Sequence, residues 1–109
     1  MTEYKDRQFL ESPWEQGADE SVAYTVTIPT SWGTSAFSSI TCKLYEDPND
    51  TNTDRSSTML TSTASYSGQV ITTQTVTGLT EDYDYRLEVK FTTSEGNTLE
   101  CWGIIRCGR

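Results

Sequence analysis

The side chains best suited to chemistry in this chain are carboxylates and thiols, because it contains no histidine. Asp50, Asn52 and Asp54 offer oxygen ligands at alternate positions of a polar segment. That is the opening pattern of a calcium loop, in which a hard cation collects six to eight oxygens. The pattern stops there: Arg55 stands where the sharp turn needs glycine, and Thr61 stands where a bidentate glutamate would complete the shell. The segment therefore reads as a solvated, turn-rich loop, with weak calcium binding as its functional alternative. Glu81, Asp82 and Asp84 form a second acidic cluster. Paired carboxylates hydrolyse glycosides when burial raises one of them, but carboxylates at a loop mouth are ordinarily solvated. General-base work near neutral pH would need a raised carboxylate or a perturbed thiol, and the sequence signals neither. The expectation is a protein that is not an enzyme and needs no cofactor.

Three cysteines make an odd count. Cys101 and Cys107 lie six positions apart in one extended run, about 20 Å at the rise of a strand, too far for a disulfide. In a sandwich the strand holding Cys42 is separated from the last strand by another strand, which disfavours a bridge there as well. Without histidine or a Cys-x-x-Cys spacing, zinc is a poor fit. Three reduced, mostly buried thiols are expected.

The elements that would position these groups are strands. Of 109 residues, 19 are Thr and 12 are Ser, and no heptad or sustained helical period is present. Residues 83–91 place Tyr83, Tyr85, Leu87, Val89 and Phe91 on one face and Asp84, Arg86, Glu88 and Lys90 on the other. That is a strand with one buried side and one wet side. Residues 94–97 supply a turn around Gly96, and an apolar run resumes at Leu99. Upstream, Val22, Tyr24, Val26 and Ile28 share a face before Pro29 ends the strand. Ile40, Cys42 and Leu44 mark another strand, and residues 46–57 read as a polar loop. A short strand is expected at Met59 and Leu60, a small-residue stretch over 62–68, and a strongly β-prone run over 69–76. Residues 1–20 read as an irregular N-terminal segment or loose edge strand anchored by Phe9, Leu10 and Trp14, and 21–109 as a single all-β domain. About seven short strands with turns between them suit an antiparallel two-sheet sandwich.

In the last strand Leu99, Cys101, Ile105 and Cys107 share a face, so Trp102, Ile104 and Arg106 point the other way. Trp102 and Ile104 thus mark a protein contact, unless the N-terminal segment with Phe9 and Trp14 folds back over them. A net charge of -8 disfavours nucleic-acid phosphates and anionic membrane surfaces as partners. No apolar run reaches the length of a transmembrane helix, and residues 1–8 lack the basic-then-apolar layout of a secretory signal. The chain is expected in the cytoplasm as synthesised.

Residues 79–89, with Leu79 six positions before Tyr85, resemble the segment of fibronectin type III and related immunoglobulin-like domains that carries the tyrosine corner. The resemblance implies that the Tyr85 hydroxyl bonds to backbone upstream, with Leu79 packed beneath it. More loosely, the runs 24–28, 43–47, 67–72, 85–91 and 99–102 are similar to small immunoglobulin-like proteins encoded among the virion genes of tailed bacteriophages. That similarity implies an immunoglobulin-like sandwich with a structural or adaptor role in a tail, fibre or head, working through protein partners or self-assembly. The alternative is an adhesion or recognition module that binds a carbohydrate or host protein through loops around Trp32 and residues 46–57.

Overall fold

The computed structural model describes residues 7–108, so residues 1–6 of the expected N-terminal segment and Arg109 lie outside the described residues. Among the described residues nine strands and one helical turn follow in chain order: β1 (Trp14–Glu15), β2 (Ser21–Thr27), β3 (Ser38–Glu46), β4 (Thr53–Asp54), α1 (Ser56–Met59), β5 (Leu60–Thr61), β6 (Ser65–Ser67), β7 (Val70–Thr77), β8 (Asp84–Thr92) and β9 (Thr98–Arg106). They form a five-stranded sheet in the order β1-β9-β8-β3-β4 and a four-stranded sheet in the order β2-β7-β5, with β6 also paired to β7. Among the described residues no helix is long and apolar enough to cross a membrane.

Alternation builds the core. β8 turns Tyr85, Leu87, Val89 and Phe91 inward, all fully buried, and β9 adds Leu99, Cys101 and Ile105. From the other sheet come Tyr24, Val26 and Ile28 with Ile71 and Val76. Each fully buried large aliphatic or aromatic side chain contributes about 1.5–3 kcal/mol by leaving water.

Several expectations need correction. Tyr83 is 42% exposed and lies before β8 rather than on its inner face. Asp82 takes a φ of 74°, which turns the chain before the alternation begins. The polar stretch 46–57 is partly ordered. β4 pairs with the end of β3, and the Ser56 hydroxyl at the start of α1 accepts from the Leu44 amide at 2.9 Å. Within the small-residue stretch, β6 forms a hairpin with β7. Phe37, in a segment with no clear periodicity, is buried edge-on against Phe91 at 5.2 Å.

The N-terminal segment brings the largest change. β1 runs parallel to β9, so the sandwich is not wholly antiparallel. Phe9 donates its amide to the Trp102 carbonyl at 2.8 Å, and Gln16 donates to Arg106 at 3.1 Å. Phe9 and Trp14 do not fold over the outer side of Trp102; they go inward. Phe9 is 2% exposed, and the Trp14 ring lies 4.6 Å from that of Tyr24. Gly103 explains the slot that Trp14 fills: a Cβ there would stand 2.6 Å from Trp14 Cζ3. The missing side chain on the inner face of β9 lets a large aromatic surface leave water.

Gln16, buried among apolar groups, ties the sheets together. Its Nε2 donates to the Val76 carbonyl at 2.8 Å and to the Glu20 carbonyl at 2.9 Å, while its Oε1 accepts from the Tyr24 hydroxyl at 2.6 Å. Burial pushes the Tyr24 phenol up to about 12, so it stays a donor. Gln16→Leu strands the Tyr24 hydroxyl and the Val76 carbonyl, at about 1–3 kcal/mol for each group left buried and unpaired. Urea denaturation should show a lowered midpoint with an unchanged slope.

Candidate functional site

Two arrangements of polar side chains stand out, one holding the fold and one facing outward. The first lies where the chain passes from β7 to β8. The Tyr85 hydroxyl accepts from the Thr80 amide at 2.8 Å and donates to Glu46 Oε2 at 2.6 Å. Leu79 is buried beside it. Glu46, at the end of β3, is nearly buried and also meets the Arg55 guanidinium at 3.1 Å. Hydrogen bonding from Tyr85 holds the Glu46 carboxyl below its ordinary value of 4.5, and Arg55 adds to this against the opposing effect of burial. Burial, reinforced by the neighbouring carboxylate, pushes Tyr85 up to about 12. With its oxygens engaged by phenol and guanidinium, this carboxylate serves as an anchor rather than a proton carrier.

The second arrangement is the outer face of the five-stranded sheet. The register sets out three rows across β3, β8 and β9: Thr41, Lys90 and Glu100; Lys43, Glu88 and Trp102; Tyr45, Arg86 and Ile104. Arg86 is held from several sides. Its Nε donates to Glu88 at 2.8 Å, its guanidinium carbon sits 5.1 Å from the centre of the Tyr45 ring, and a terminal nitrogen reaches Asn52 Oδ1 at 3.4 Å. Because the 47–52 turn returns along this side, Pro48 and Asn49 join Arg86, Glu88, Glu100, Trp102 and Ile104 in lining an open groove of about 500 Å³. A smaller depression of about 190 Å³ continues toward Lys43 and Lys90. Trp102 and Ile104 are half-buried, presenting apolar surface inside a ring of both charge signs.

The remaining sequence-selected residues are placed as follows. Asp50, Asn52 and Asp54 are all exposed. The Asp54 carboxylate accepts from the Ser56 amide at 2.9 Å and the Ser56 hydroxyl at 2.6 Å, which holds it below its ordinary value. The Asn52 oxygen faces Arg86, and among the described residues no three His, Cys, Asp or Glu side chains converge as metal ligands. Glu81, Asp82 and Asp84 are exposed and do not line the groove. Trp32 is half-buried, packed against the core in the turn after β2. That turn meets the β8–β9 turn, with the Ser94 amide donating to the Thr34 carbonyl, whereas the Asp47 amide donates to Asp84 at the start of β8. Trp32 and the 46–57 segment therefore lie at opposite ends of the sandwich, separated by about 27 Å of β3, and do not share one loop surface.

Cys42, Cys101 and Cys107 are free thiols, all buried. Cys42 and Cys101 flank Val89 from either side, one strand apart, as the sheet order requires. Burial raises all three, Cys101 to about 12. What sequence reasoning missed in the groove is Arg86, Glu88 and the Pro48–Asn49 wall; the alternation marks Arg86 and Glu88 as outward, but only the return of the turn makes a concavity. No protein-family model matches the chain, and no curated protein or solved structure matches it either.

Two outcomes are expected. Tyr85→Phe should destabilise the protein by about 1.5–3 kcal/mol at neutral pH, the range for a hydrogen bond to a charged group. Because the folded Glu46 carboxyl is lowered, its contribution is complete above 4.5 and fades as pH falls through its lower folded value. The gap between Tyr85→Phe and the parent should therefore narrow in acid, as urea melts across that range will show. Ellman's reagent should react slowly with the native thiols and promptly with all three once the protein is denatured.

Proposed function

We propose that this chain is an immunoglobulin-like structural or adaptor module, without catalytic activity, that binds a protein partner through the outer face of its five-stranded sheet. The observation that carries the reading is the groove over Trp102 and Ile104. A half-buried tryptophan and isoleucine beside an immobilised arginine match the aromatic and Arg-rich cores of protein interfaces, where side chains already held lose little entropy on binding. The mixed charges of the surrounding rows favour register and partner choice over simple adhesion.

The strand order supports the immunoglobulin-like reading. The five long strands of the chain divide between the sheets as in that fold: β2 and β7 in one, β3, β8 and β9 in the other. The Tyr85 hydroxyl bonded to Thr80 supports a tyrosine corner. The setting in a phage or prophage virion rests on the sequence resemblance. Recognition of a carbohydrate or host protein through joined loops has less support, given the distance between Trp32 and the 46–57 segment.

Trp102→Ser tests the assignment. It should reduce partner capture or incorporation into particles by at least about tenfold, the scale of an interface hot spot, while far-ultraviolet circular dichroism stays unchanged. Undiminished incorporation of a folded Trp102→Ser protein would reject this face as the contact.

A further inference from the structure

Charge is distributed unevenly between the two sheets. None of the strands of the four-stranded sheet, β2, β5, β6 and β7, contains a charged residue, although the chain carries a net charge of -8. Its outer side is a field of hydroxyls in register: Ser21 opposite Thr77, Thr25 opposite Thr72, and Thr61 opposite Thr75. Ser21 and Thr77 are bonded to each other at 2.8 Å.

β2 is the outermost strand of that sheet and is seven residues long. The segment that precedes it pairs with β9 instead, so among the described residues no backbone covers the free edge of β2. One side chain meets it: Glu11 Oε2 accepts from the Thr27 amide at 3.0 Å. Proteins normally protect such an edge with charge, proline or brevity, and within β2 the only such device is the irregularity between Ala23 and Thr25.

We propose that the β2 edge is a self-association site, where a second copy of this chain adds its own β2 antiparallel and extends the four-stranded sheet across a two-fold axis. An edge of unpaired N–H and C=O groups is complementary to itself, and a two-fold axis gives both copies the same contacts. Two chains of net charge -8 repel each other, so the contact belongs where charge is sparsest: β2 itself has no charged residue, and Glu11 meets it only at the Thr27 end. A basic partner finds only one counter-ion there, the Glu11 carboxylate at the Thr27 end. This surface is independent of the Trp102 groove, which stays open in the pair.

Sedimentation velocity from micromolar to millimolar protein, at low and high salt, tests the proposal. Dimer should form with concentration and tighten with salt as the repulsion is screened. Hydrogen exchange of the Thr25 amide should slow over the same range. The double substitution Ala23→Glu and Thr25→Glu, at two exposed positions, should weaken association at least about fivefold through like charges on adjoining strands, and Glu11→Ala should strengthen it by freeing the Thr27 amide. A parent protein that remains monomeric with Thr25 exchange independent of concentration overturns the proposal. So does a dimer that weakens with salt or withstands the double substitution.

Discussion

The hydrogen bonds of the Tyr85 hydroxyl are the constraint on which most of this structure depends. The phenol sits where the chain leaves the four-stranded sheet and enters β8, the middle strand of the other sheet. By accepting from Thr80 and donating to Glu46 it joins the crossing segment, β8 and the end of β3 at one point. The ring is completely buried, so the register of β8 cannot slip without placing polar groups in the core. That register decides which residues align across β3, β8 and β9. The outward rows, and the placement of Trp102 beside Glu88, follow from it.

Gln16 joins the two sheets a second time. It is the buried amide through which β1, on the five-stranded sheet, reaches the Val76 carbonyl of β7 on the other. No buried side-chain nitrogen or oxygen among the described residues lacks a partner, which is the condition under which polar groups in a core specify geometry rather than weaken it. Charge then separates by sheet. The five-stranded sheet carries an ordered ion pair and an arginine fixed over Tyr45, while the strands of the four-stranded sheet carry only uncharged polar groups, hydroxyls and the Gln74 amide. One sandwich thus presents two chemically distinct surfaces.

Much of the fold was legible in the residues. The alternation through β8 and β9 and the inward face of β2 are direct consequences of a two-residue side-chain period. Leu79 and Tyr85 were marked by the resemblance of their segment to a tyrosine corner, and Trp102 and Ile104 by parity. Tyr83 misled because alternation continues in the sequence after the backbone has turned at Asp82. Of the three expected anchors Leu10 is exposed; Phe9 and Trp14 were recognisable as anchors but not as inward-facing ones, since that depends on the space left by Gly103, 89 residues after Trp14 in the chain. Gln16 carries no sequence signal: a lone glutamine in a polar segment looks solvated.

By itself the sequence determined the all-β class, the strands with clean alternation, the outward direction of Trp102 and the net negative charge. These are local or summed properties, set by side-chain period and composition. Tertiary structure alone decided that β1 lies parallel to β9, that Pro48 and Asn49 turn a flat face into a groove, and that β2 is left as an edge. Each of these depends on contacts between distant segments, such as the 60-residue separation bridged by Gln16 and Val76. A periodic pattern specifies which face of a strand is buried, but not which neighbour will cover it.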